Sequence, residues 1–473
     1  MLNSRRSSPL SNELNIGRMS SPSNPPHSDR GLWHPNVPFR PSALPFYYGW
    51  VVLTVSTVGL VMSAPGQTIG VAVFTEDLLD VTGLSRVQLS NAYLVGTLAS
   101  GLLLPRAGSF LDRVGVRRGV VYASLGLGFV LAMLSQVDRL ADVIAELGFD
   151  RVLAAYGLLT IGFLGLRFTG QGALTLVSRT MLGRWFERRR GFVSSISAPF
   201  ASISFASAPV LLSGWVAASG WRGAWQEMAL AAGIGMAFFG WLFFRETPES
   251  CGLTMEGDPP ATENAANSGE EGTDEPTPAP RPDFTRAEAL RTTAFWLVTL
   301  AISNHAMVGT GISLHIVDLG AEAGLAEAQA LRIFLPVTLI SVPTGIVMGL
   351  LIDRLPIRGL IMGMMVGQIL MFGLAPHLGH PILYYVCLAG WGFSSGFYGP
   401  LTVAALPNYF GRTHLGAIQG VMMMVIVIAS ALGPAILATG QALLGGYAPI
   451  LHALAGLPLL LLVVAAVMPE PRP

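Results

Sequence analysis

An arginine stands near the middle of a long apolar run, in Gly162-Phe163-Leu164-Gly165-Leu166-Arg167-Phe168-Thr169-Gly170-Gln171-Gly172. A charge at the centre of a membrane helix costs about 2.5–3.5 kcal/mol on insertion scales, so it normally faces a bundle interior or a water-filled cavity. At helical spacing Thr160, Arg167, Gln171 and Ser178 fall near one face. No Asp or Glu lies in the central part of any apolar run. Arg167 therefore lacks an intramembrane counter-ion, which an anionic ligand would supply. The competing reading is a structural arginine bonded to backbone carbonyls and helix ends. A second run carries Trp391, Ser394, Ser395, Tyr398 and Thr402 on one face, either an aromatic wall with hydroxyls or ordinary helix packing. Ser63-Ala64-Pro65-Gly66-Gln67-Thr68 interrupts the first run. Pro and Gly there free backbone carbonyls, and Gln67 is a candidate polar contact. Asn304 and His305 stand among apolar residues, with His315 nearer the end of the run. His305 is a candidate proton carrier, set against the plainer role of a hydrogen-bonded packing residue. The expected ligand-binding set is Arg167, Gln171, Gln67, His305, Trp391 and Tyr398.

The elements that must position these groups are membrane helices. The chain of 473 residues is 52% apolar and 12% charged, with mean hydropathy +0.56. A soluble domain carries about 25% charged residues. Formal net charge is zero, which gives no electrostatic case for nucleic acid. Every fixed positive side chain is arginine, which excludes a lysine Schiff base. Cys251 and Cys387 lie far apart and imply neither a disulfide framework nor a metal cluster. There is no HExxH motif and no pair of carboxylates within the apolar runs, so no enzyme, metal or cofactor is expected. Runs long enough to span a bilayer fall near 47–74, 88–107, 118–137, 153–178, 191–216, 222–245, 294–318, 331–352, 358–376, 381–406, 415–441 and 447–468. The expectation is an all-α membrane protein of twelve helices. Residues 1–45 read as a disordered tail, 46–245 as a first six-helix bundle, 246–290 as a polar linker and 291–470 as a second bundle.

Arginine orients the chain. Loops with Arg113, Arg117, Arg118, Arg184, Arg188, Arg189, Arg190, Arg354, Arg358 and Arg412 alternate with acidic or neutral ones. By the positive-inside tendency both termini and the linker are expected in the cytoplasm of a plasma (inner) membrane. The first arginine loop reads Gly108-Ser109-Phe110-Leu111-Asp112-Arg113-Val114-Gly115-Val116-Arg117-Arg118-Gly119, and Gly349-Leu350-Leu351-Ile352-Asp353-Arg354-Leu355-Pro356-Ile357-Arg358 repeats its opening. Arg184-Trp185-Phe186-Glu187-Arg188 likewise aligns with Asn408-Tyr409-Phe410-Gly411-Arg412, as expected of two related halves. The loop pair resembles the motif between the second and third helix of each half in the major facilitator superfamily. That resemblance implies two pseudo-symmetric bundles and a gate of Gly108, Asp112, Arg113, Arg117, Arg179, Gly349, Asp353 and Arg354. Asp112 and Asp353 would latch the halves on the inner side, with Arg179 the expected partner of Asp112.

Tyr48-Gly49-Trp50, the segment Trp185 to Val193 and Thr247-Pro248-Glu249-Ser250-Cys251-Gly252-Leu253 resemble the monocarboxylate transporter and oxalate–formate antiporter branch. Two positions depart from it. Tyr47 and Tyr48 precede Gly49 where that branch has an acidic residue, and its eighth-helix arginine is missing. Arg167 would then serve as anion ligand from another helix. The implied function is alternating-access transport of a small organic anion by a monomer, coupled to protons or run as an exchange. A neutral or zwitterionic solute, and a non-translocating receptor, are the rival readings.

Overall fold

The computed structural model describes residues 31–255 and 283–467. The N-terminal bundle contains α1 (Gly49–Ala72), α2 (Arg86–Val114), α3 (Val116–Leu134) and α4 (Arg151–Trp185). A continuous helical segment then runs Arg190–Met228, but Gly220 within it has φ 71° and ψ 165°. That conformation, easy only for glycine, turns the chain back and divides it into α5 (190–219) and α6 (221–243). The second bundle contains α7 (Thr293–Leu314), α8 (Phe334–Leu351), α9 (Ile357–Leu374), α10 (Pro381–Phe410), α11 (Leu415–Leu444) and α12 (Tyr447–Val467). Ten stretches have the length and hydropathy of membrane spans, one of them crossing the α5–α6 turn. With that stretch divided and α10 counted, there are twelve long apolar helices among the described residues, as the apolar runs predict.

Two helices are irregular where the sequence carries its polar groups. In α1 the α-helix stops at Met62, Ala64–Gly66 forms a single 3-10 turn, and Gln67 is extended at φ −82°, ψ 157°. This is the break expected from Pro65-Gly66. In α4 the segment Arg167–Leu174 is π-helical, which the sequence pattern does not announce. The two irregularities meet: a Cβ built on Gly66 would lie 2.6 Å from the Gln171 nitrogen and 2.7 Å from the Gly170 Cα.

The two bundles share one apolar core at the end that carries the arginine loops. There Trp185 and Phe186 of the first half join Leu406, Phe410 and Leu415 of the second in a single cluster. At the opposite, acidic end the second half has its own cluster around Ile312, Ile316, Phe372 and Leu451. The halves are thus welded at one end and separately packed at the other.

Residues 31–45 pack, where a disordered tail is expected; residues 1–30 and most of the linker (256–282) lie outside the described residues. The segment forms a strap across the arginine-rich end of the first bundle. Arg117 Nη1 and Nη2 donate to the carbonyls of His34 (2.9 Å) and Val37 (2.6 Å), and its Nε to Trp241 O (2.8 Å). Arg245 Nη2 also donates to Val37 O, at 3.2 Å, and its guanidinium lies over Phe39. Val37 O carries no backbone hydrogen bond of its own, and buried guanidiniums need acceptors; each satisfies the other. Arg117, expected in the gate, is spent within one half on this strap. Replacing Arg117 with Gln should free the segment. Chymotrypsin should then cut after Phe39 at least tenfold faster with helix content unchanged, and an unaltered cleavage rate would show that the arginine does not hold it.

Candidate functional site

Between the halves lies a cavity of about 300 Å³ lined by Gln67, Gln171, Thr175, Arg179, Ser197, Ser395, Tyr398 and Met423, among others. It shares Gln67, Gln171, Ser395 and Tyr398 with a larger space of about 600 Å³ that also reaches His305, Trp391, Thr310 and Ser430. The two are one continuous void. Five of the six residues expected in the binding set line it: Gln67, Gln171, His305, Trp391 and Tyr398. The sixth does not.

Arg167 is 2% exposed and borders a different cavity. Its Nη1 donates to Gly66 O (3.1 Å), a carbonyl left unpaired by the break in α1, and to Thr68 Oγ1 (3.3 Å). Its guanidinium lies 5.4 Å from the Tyr93 ring centroid. The cation of the central cavity is Arg179. The π-helical turn explains how Arg179 comes to face it. One π turn inserts an extra residue, which rotates everything after it by about 100° relative to a regular helix. The regular period puts Ser178 on the face of Arg167 and Gln171. In the structure Ser178 is buried against Gly59 and bonds Leu174 O at 2.8 Å, while Thr175 and Arg179 turn to the cavity.

Arg179 has no carboxylate partner among the described residues. Its neighbours are the Met423 sulfur at 3.6 Å and the Tyr398 hydroxyl. Gln171 Oε1 is buried without a hydrogen bond. Gln67 Nε2 donates to Ser63 Oγ (3.2 Å), and Thr175 Oγ1 reaches the same hydroxyl at 3.3 Å. His305 is held on both ring nitrogens, Nδ1 by Ser394 Oγ (3.0 Å) and Nε2 by Ser395 Oγ (3.3 Å), with its ring 5.8 Å from that of Tyr398. Trp391 packs on Phe334 at the rim. Asn304 takes no part; it bonds Gln368 Oε1 at 2.9 Å inside the second bundle.

Two related seams close the arginine-rich end below this cavity. A Cβ built on Gly108 would lie 2.1 Å from Gly416 O, and one on Gly191 would lie 1.9 Å from Gly349 O. Four residues after each motif glycine comes the aspartate. Asp112 accepts from the amides of Gly416 (3.0 Å) and Ala417 (2.7 Å) at the start of α11. Asp353 accepts from Gly191 N at 2.9 Å at the start of α5. Each carboxylate thus meets the positive end of a helix in the other half. The arginine beside Asp112 is Arg184, at 2.8 Å, not Arg179. Arg179 lies further up α4, and its side chain points into the void. Arg113 and Arg354 are exposed and have no partner among the described residues. Thr180–Gln419 (2.8 Å), Arg190–Asn408 (2.5 Å) and Arg412 with Arg184 O (3.0 Å) also cross between the halves. In the linker, Asp283 accepts from Arg412 N, Thr413 N and Thr413 Oγ1. Burial raises its pKa, but the bonds from Thr413 and Arg412 outweigh it and hold the carboxyl below its usual range.

The family model of the major facilitator superfamily matches residues 51–434. No curated protein matches in sequence. Among solved structures, the chain is similar to the human organic anion transporter MFSD10 (TETRAN), at 15% identity over 88% of this chain and 98% of that one, with a TM-score of 0.61. It is also similar to the E. coli fucose:proton symporter FucP, at 13% identity over 89% and 98%, with a TM-score of 0.59. A third is the proton:xylose symporter XylE bound to 6-bromo-6-deoxy-D-glucose, at 16% identity over 89% and 96%, with a TM-score of 0.59. At these identities the likeness is one of fold.

Asp112→Asn removes a carboxylate that accepts from two amides and a guanidinium, a loss of about 1–3 kcal/mol. The seam should loosen. With Ser197→Cys as reporter at the cavity floor, labelling by an impermeant maleimide from the arginine-rich side should rise severalfold over the parent. Equal labelling would mean that Asp112 does not hold this end shut.

Proposed function

The chain belongs to the major facilitator superfamily, and from that premise we propose that it transports a small organic anion, monocarboxylate-like in charge and size, by alternating access. The observation that carries this is Arg179, a guanidinium in the void between the halves with no carboxylate partner among the described residues. A charge in a low-dielectric site needs a partner or water. An anion held by Arg179 and Tyr398, with Gln171 and Gln67 alongside, supplies that partner. That one structural relative is an organic anion transporter supports the reading only at the level of fold.

Under this reading the arginine-rich end faces the cytoplasm of a plasma membrane. The seams at Gly108–Gly416 and Gly191–Gly349 then make an inward-closed state, and the void faces outward. Rocking the halves breaks the Asp112 and Asp353 contacts and exposes Arg179 to the inside. His305 offers a place for a coupled proton, with Ser394 and Ser395 as its bonding partners; simple exchange needs no such group.

Thermal stability against a panel of pyruvate, benzoate, glucose and alanine tests the substrate class. A ligand at 100 times its Kd stabilises by about 2.7 kcal/mol. A carboxylate should stabilise the wild type, and Arg179→Ala should weaken its binding at least tenfold, the scale of one charge-assisted hydrogen bond. Stabilisation by glucose or alanine, equal in both proteins, would contradict an anionic substrate.

A further inference from the structure

The second buried guanidinium borders a cavity of its own. This side cavity, about 420 Å³, lies between the outer part of α1, α2, α4, α7 and α11. Its wall is largely apolar, with Val71, Leu89, Leu94, Phe163 and Ala435. Arg167 is the charged group lining it, with Tyr93, Thr68 and Thr97 among its polar neighbours. Arg167 is not satisfied by the α1 break. Nη1 takes Gly66 O and Thr68 Oγ1, while Nε and Nη2 have no hydrogen-bond partner among the described residues. No carboxylate of the described residues pairs with it. Thr97 Oγ1 is likewise buried and unbonded. A cation with free donors in an apolar cavity is suited to an anion with an apolar body.

The side cavity borders the central void. Thr68, Ala72, Thr310, Leu314 and Ser430 line both. Arg167, Gln171, Thr175 and Arg179 follow one another at four-residue steps along α4. At about 1.5 Å per residue, the backbone positions of the two arginines lie at most roughly 18 Å apart along the axis. Arg167 lies toward the acidic, open end, and Arg179 just above the closed seams. We propose that Arg167 and its side cavity form a second anion station, an entry site for the carboxylate of an amphipathic monocarboxylate, which passes it along Gln171 to Arg179. This rests on the anion reading of Arg179. Two moderate sites suit transport better than one tight one, because the ligand must both enter and leave. The apolar wall favours aromatic or aliphatic carboxylates over hydroxylated ones.

Calorimetric titration of the full-length protein with benzoate tests this. The wild type should bind two equivalents. Arg167→Gln should leave one, with the remaining affinity unchanged. Because Arg167 also ties the α1 break, Ala435→Trp provides an independent test: it fills the side cavity from α11 and should also leave one. Arg179→Ala should remove the other. A single equivalent that Arg179→Ala abolishes, and that Arg167→Gln and Ala435→Trp leave intact, overturns the second station while the central site stands. If benzoate and pyruvate both fail to bind the wild type, the second station and the anion reading fall together.

Discussion

A guanidinium inside a bilayer must be given acceptors, and this chain buries several. Its architecture can be understood as the set of answers. Arg117 and Arg245 take backbone carbonyls of the strap and of the α6 end. Arg190 takes Gly183 O and the Asn408 amide. Arg184 takes Asp112. Arg167 takes a carbonyl freed by the broken α1. Each of these also ties two elements together, so solving the charge problem assembles the arginine-rich end. Arg167 keeps donors free toward its side cavity, and Arg179, with no carboxylate partner among the described residues, lies in the void where a ligand would be held.

That void exists because two helices are irregular at the same level. The break in α1 lets its backbone approach α4 within glycine contact. The π turn in α4 then rotates Thr175 and Arg179 into the space between the halves. A regular α4 would put Ser178 there and bury Arg179 against α1, where it would have neither room nor acceptors. The strained-looking features thus serve the site rather than the scaffold.

Much of the fold was legible in the sequence because it depends on local quantities. Twelve helices follow from the length and hydropathy of the runs, and the duplicated halves from the Gly-to-Asp spacing in Gly108–Asp112 and Gly349–Asp353. The broken α1 follows from Pro65-Gly66. The site was only partly legible. Gln67, Gln171, His305, Trp391 and Tyr398 converge as expected, but Arg167 and Arg179 exchange places. A 3.6-residue period cannot show a π turn, so it assigns the wrong face to everything after Leu174. The partner of Asp112 is Arg184 because Arg179 lies further up α4 and points into the void. The strap over 31–45 was missed because composition registers its prolines but not the carbonyl acceptors that Arg117 and Arg245 require.

Arg179 awaits an anion from outside the chain. Gln171→Glu would provide one from within, on the same face of α4 and in the same void. The variant should be more heat-stable than the wild type without ligand, and carboxylates should no longer stabilise it further. If Gln171→Glu keeps the full stabilisation by carboxylates, Arg179 does not hold them and the claim fails.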